Sequence, residues 1–153
     1  MHWLAAFVLT LLASGTVIEA LQIRPCLDDL PYPTFVEIRE CTQAPCQLVR
    51  GTKVPIVIVF KALFDAESPR YIQVVHAGAT ATPTELTPDR ENVCNWLTGS
   101  SCPIREGEII ITGHTLDVLP EYPLAQVTIH LSVLDEQSRT HTCFVFDAQL
   151  VDK

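Results

Sequence analysis

Six cysteines, four histidines beyond the first twenty residues and a short acidic run are the side chains here with the types and spacing to do chemistry. The cysteines are Cys26, Cys41, Cys46, Cys94, Cys102 and Cys143. An even count downstream of an apolar leader reads as a disulfide framework, and three bridges have fifteen connectivities. Zinc is the competing chemistry. Four residues separate Cys41 from Cys46, seven separate Cys94 from Cys102, and no histidine stands at finger spacing from either pair. The spacing therefore speaks against a metal. It favours local bridges within the two close pairs, which would leave Cys26 to meet Cys143. A loop that long contributes about 4–5 kcal/mol in the chain-entropy model.

The histidines are His76, His114, His130 and His141. His130 falls on the polar face of an alternating run, His141 sits between two threonines just before Cys143, and His76 ends an apolar run. None stands with a nucleophile and carboxylate at catalytic spacing. Glu106, Glu108, Asp117 and Glu121 are close in sequence but lack the alternating oxygen ligands of a calcium loop. G-x-S-x-G, H-E-x-x-H, the P-loop and G-x-G-x-x-G are all missing. The expectation is a protein that is not an enzyme, with no catalytic residue, cofactor or metal.

Composition bounds the partners. Of 153 residues, 10 are Lys or Arg and 18 Asp or Glu, a net charge of −8 with no basic cluster. A nucleic-acid binder needs a basic face to neutralise phosphates, so that class is excluded, and charge alone gives no attraction to anionic membranes. Trp3 to Ala13 is mostly apolar and is followed by Ser14, Gly15 and Thr16, then Ile18-Glu19-Ala20. That order is a secretory signal peptide over 1–20, too short to span a bilayer, with the domain following over 21–153. The longest later apolar run, Val54 to Phe60, has seven residues and contains Pro55. The expected product is secreted.

The elements that must position these residues read as strands. Phe35 to Glu40 alternates apolar with charged, and Val54 to Phe60 is rich in β-branched residues. Further runs are Cys46 to Arg50, Tyr71 to His76, and Glu108 to Thr112 ending at Gly113. Val127, Ile129, Leu131 and Val133 share one face, as do Phe144, Phe146, Ala148 and Leu150. Sustained helical periodicity is missing, and ten prolines between Pro31 and Pro123 would break most helices. Short strands separated by turn signals predict an all-β, immunoglobulin-like antiparallel sandwich of about seven strands. Thr80 to Asn92, polar and carrying two prolines, reads as an irregular excursion, and Leu116 to Pro123, stiffened by Pro120 and Pro123, as the loop joining two strands.

Cys41-Thr42-Gln43-Ala44-Pro45-Cys46-Gln47-Leu48-Val49-Arg50-Gly51, followed by a β-branched strand ending in Phe60, resembles the ML (lipid-recognition) domain family. Within it the likeness is to the branch of Niemann-Pick type C cholesterol-transfer proteins. Val74-Val75-His76, Cys102-Pro103-Ile104-Arg105 and Glu121-Tyr122-Pro123 agree in order and spacing, as does the order of six cysteines. The resemblance implies the pairs Cys26–Cys143, Cys41–Cys46 and Cys94–Cys102, and two sheets that part around a lipid. Periodicity by itself fits a solid core equally well.

The resemblance also implies site residues. Leu86, Val118 and Tyr122 are expected around the cavity entrance, and Ile56, Ile58, Phe60, Ile129, Leu131, Phe144 and Phe146 on its inner surface. Leu86 stands where that branch has an aromatic, and Leu131 and Phe144 stand where it has tryptophans. Neither Asn92 nor Asn95 lies in an N-x-Ser/Thr sequon. The function implied is a secreted carrier of a sterol, fatty acid or similar hydrophobic ligand, expected as a monomer with transient membrane or membrane-receptor contact. An innate-immune recognition or co-receptor module for microbial lipids is the alternative.

Overall fold

The structure is a computed structural model that describes residues 21, 23–26 and 29–153. The expected leader over 1–20 lies outside the described residues. Nine strands follow in order: β1 Ile23–Pro25, β2 Phe35–Ile38, β3 Cys46–Val49, β4 Thr52–Lys61, β5 Arg70–Ala77, β6 Thr80–Pro83, β7 Ile109–Val118, β8 Gln126–Leu134 and β9 Thr140–Val151. A short helix α1, Pro88–Glu91, and a 3-10 turn, Val93–Trp96, stand between β6 and β7.

Two sheets form the expected sandwich. The larger runs β1-β9-β8-β5-β6, with β3 also on β9, and the smaller runs β2-β4-β7. Every pairing is antiparallel but one: β3 lies parallel to β9, with Cys46 opposite Ala148 and Val49 opposite Val151. Alternation fixes what faces inward, because successive side chains in a strand point to opposite faces. Ile56, Ile58 and Phe60 of β4, Ile129, Leu131 and Val133 of β8, and Phe144 and Phe146 of β9 all join one buried cluster. Pro55 sits where β2 ends, opposite Ile38's successor Arg39, so its missing N–H interrupts the ladder only at its margin.

Three expectations need correction. The fourth run does not end at Gly113: β7 continues through it to Val118, paired along its whole length with β4. Side chains at Thr112, His114, Leu116 and Val118 keep the inward face, so strand alternation outweighs the glycine as punctuation. Leu116 to Val118 therefore belongs to a strand rather than to the connecting loop. Thr80 to Asn92 is partly regular, because β6 closes a hairpin on β5 and Thr87-Pro88 starts a helical turn with proline at its first position.

The disulfides are Cys26–Cys143, Cys41–Cys46 and Cys94–Cys102. The first joins the segment after β1 to β9. The third ties the 3-10 turn to the segment before β7. Bridges from Asn92 to Arg70 and from Leu97 to Thr112 connect this turn to β5 on one sheet and β7 on the other. It therefore closes one end of the gap between the sheets and leaves the other end open.

Candidate functional site

The sheets part along the edge where β5 and β6 face β7. A cavity of about 700 Å³ opens there. Its apolar wall comes from Val75 and Ala77 of β5, Val127 of β8, Leu150 of β9, and Leu86, Leu119, Tyr122 and Pro123 of the loops. Gln73, Thr82, Thr84, Glu85, Thr87, Arg90, Thr115 and Asp117 supply its polar side. A narrow crevice of about 20 Å³ shares Gln73, Val75, Asp117, Tyr122, Val127 and Leu150 with it, and adds Leu48, Leu116, Val118 and Ile129.

The mouth loop after β7 is held by a turn that the sequence makes conspicuous. Gly51 takes φ +77° between β3 and β4, a left-handed conformation that glycine adopts without a Cβ penalty. Its N–H donates to the Val118 carbonyl at 2.6 Å, and the neighbouring Arg50 Nη1 donates to the Tyr122 carbonyl at 2.9 Å. Tyr122 is thereby fixed at the cavity wall. Burial, with the carboxylates of Glu121 and Asp117, holds its hydroxyl above the usual phenol range, so it meets the cavity as a neutral donor.

A polar seam crosses between the sheets beside the cavity. The Tyr71 hydroxyl on β5 donates to the Gly113 carbonyl at 2.6 Å and lies 2.7 Å from Thr112 Oγ1. Two residues further along β5, Gln73 Oε1 lies 2.9 Å from His114 Nε2, and Gln73 Nε2 donates to Thr84 Oγ1 at 2.9 Å. Burial, reinforced by the Arg90 cation and opposed by Asp117, lowers the His114 pKa to about 4, so the ring is neutral at pH 7. Its Nε2–H then donates to Gln73, which leaves the buried Nδ1 as a lone pair without a partner. The other tautomer would orphan an N–H there. Arg90 Nη1 donates to Asp117 Oδ2 at 2.9 Å and to the Thr115 carbonyl at 3.1 Å.

The structure brings only some of the sequence-predicted residues together here. Leu86 and Tyr122 line the cavity. Val118 and Ile129 line only the narrow crevice, and both are buried. Val118, expected at the entrance, is 3% exposed. Ile56, Ile58, Phe60, Leu131, Phe144 and Phe146 line neither space and sit in the packed core between the sheets. The remaining histidines are elsewhere: His76 and His130 pack against each other on the larger sheet with ring centroids 4.3 Å apart and planes tilted by 33°, and buried His141 accepts from the Leu63 N–H at Nδ1. Among the described residues, no group of three or more His, Cys, Asp or Glu side chains could hold a metal ion.

Sequence reasoning missed Gln73, His114 and Arg90. One signal was available: Gln73 holds the inward register between Tyr71 and Val75, and a glutamine on an apolar face requires a buried partner. Its partner is 41 residues away and on the other sheet.

The ML domain model matches residues 20–150 of the sequence. The chain belongs to the ML domain family. The NPC intracellular cholesterol transporter 2 of Sus scrofa is 24% identical over 151 residues, covering 98% of this chain and 99% of that protein. Its counterpart in Danio rerio is 26% identical over 117 residues, 76% of each. Among solved structures, a Niemann-Pick type C2 protein from Japanese carpenter ant superposes with a TM-score of 0.74 at 17% identity, over 85% of this chain and 99% of that one. Chicken MD-1, solved in complex with lipid IVa, reaches a TM-score of 0.54 at 15% identity over 83% and 86% of the two chains. At these identities the two structures speak for the sandwich fold of this ML domain.

Proposed function

We propose that this protein binds and transfers a hydrophobic lipid, a sterol, fatty acid or similar chain, and acts as a secreted monomer without catalytic activity. The cavity at the open edge of the sandwich carries the reading. Its volume lies within the roughly 300–1,000 Å³ usual for small-molecule sites, and one wall is aliphatic while a few polar groups converge on the other. Family membership and the cholesterol transporters among its relatives support the same class. Three disulfides suit an oxidising compartment, in keeping with the leader-like first twenty residues.

Transfer requires a meeting with a membrane. Leu119 lines the cavity at 39% exposed and Leu124 follows at 55%, so the mouth loop presents apolar side chains to an acyl boundary. No helix among the described residues is long and apolar enough to cross a membrane. The test is solvent extraction of the purified protein followed by lipid mass spectrometry, with titrations of a fluorescent sterol and a fluorescent fatty acid. A lipid in the extract, or saturable uptake with exchange into vesicles, is expected. An empty extract together with no uptake of either probe would refute lipid carriage.

A further inference from the structure

The polar side of the cavity is arranged tightly enough to say what kind of head group it admits, given the lipid-binding reading above. Gln73 is 4% exposed and lines the cavity, so both ends of its amide must be satisfied within the protein or by a ligand. His114 engages Oε1 from the opposite sheet, and Thr84 Oγ1 engages Nε2. An amide offers two N–H groups and two lone pairs, so one of each is left over. Thr84 accepts from Gln73 and keeps its own hydroxyl proton to donate. These leftovers are neutral, and together they both donate and accept. A hydroxyl, which also does both, is their complement.

The charges point the same way. Arg90, Asp117 and Glu85 are the charged side chains lining the cavity. Arg90 and Asp117 neutralise one another at 2.9 Å, whereas Glu85 makes no salt bridge among the described residues. Lys53 approaches Asp117 only at 3.9 Å and does not line the cavity. The lining thus carries one uncompensated negative charge, next in sequence to Thr84. A carboxylate seeking the Gln73–Thr84 donors would be repelled by it, and an uncharged hydroxyl would not.

We propose that Gln73 and Thr84 form a head-group contact that selects a lipid ending in an uncharged hydroxyl over the same chain ending in a carboxylate, with Glu85 as the residue that rejects the anion. His114 is a positioning residue for this contact: it sets the orientation of the Gln73 amide from the far sheet.

The experiment compares dodecanol with dodecanoate at pH 7.4, each displacing the uncharged fluorescent probe N-phenyl-1-naphthylamine from the full secreted protein. Because the chains match, the ratio of the two affinities reads the head group alone. The alcohol is expected to bind about tenfold more tightly. Thr84→Val removes the hydroxyl at constant volume and should weaken dodecanol about fivefold while leaving dodecanoate within about twofold. Glu85→Gln should instead strengthen dodecanoate about fivefold and leave dodecanol unchanged. Glu85 is exposed, so its variant is expected to fold, and thermal unfolding checks both. Dodecanoate binding the wild type as tightly as dodecanol would overturn the proposal, as would an affinity ratio that neither variant moves. Failure of the wild type to take up the probe or either ligand would overturn lipid binding itself, a result distinct from a changed ratio.

Discussion

His114 should make this protein less stable in acid, and His114→Gln should remove that dependence. The imidazole is 3% exposed, tilted against the Tyr71 ring with centroids 4.7 Å apart, and held neutral with a pKa of about 4 against an ordinary 6.5. In the unfolded chain the ring titrates normally. Between about pH 6.5 and about pH 4 the unfolded state therefore binds more protons than the folded state. Stability from this group is fully present above that window and is lost as pH falls through it.

Between pH 7 and pH 5 the loss amounts to about 2 kcal/mol, rising to about 3 kcal/mol below pH 4. Glutamine does not titrate, and its amide can still reach Gln73. The other histidines with lowered pKa values, His130 and His141, are present in both proteins and cancel in the difference. Urea unfolding at pH 7 and pH 5 is the assay. The wild type should lose about 2 kcal/mol more than the variant between those two values. Parallel stability profiles would refute the reasoning, because they would mean that the ring already protonates inside the fold without penalty.

Other outcomes follow from the same packing. Replacing Cys26 and Cys143 by serine should cost about 5 kcal/mol, since their bridge spans 117 residues, whereas the same exchange at Cys41 and Cys46, five apart, should cost about 2 kcal/mol. Equal losses in denaturant titrations would contradict a loop-length origin. Phe144→Ala should destabilise by about 3–5 kcal/mol while leaving probe affinity within about twofold, because its fully buried ring lines no part of the cavity. A selective loss of binding would place the lipid deeper than the open edge. Val118→Asp should unfold the protein rather than merely block its mouth, since an unpaired carboxylate at a buried strand position costs several kcal/mol. Near wild-type thermal unfolding would show that Val118 is reachable by water.

The sequence by itself determined the fold class and much of the inner surface of the sandwich. Alternation in Val127 to Val133 and in Phe144 to Leu150 determines which side chains face the opposite sheet, because the two-residue period of a strand is a local property; Val145, on the outer face, is buried as well, beside Cys26 and Cys143. Cysteine number and spacing narrowed the bridges, and the resemblance in Cys41 to Gly51 pointed to the family. Alternation says that a residue points inward, but not whether the opposite sheet is there to meet it. Phe144 and Phe146 meet it and form solid core; Val75, Ala77 and Leu150 face the gap where β6 and β7 part, and form a cavity. That difference depends on which strands stand at the sheet edges and on how the turn at Val93–Trp96 closes one end alone. The Gln73–His114 pair lies further still from local reading. Its members are 41 residues apart on different sheets, and a neutral histidine holding a glutamine amide is a consequence of burial, which exists only once the sheets have packed.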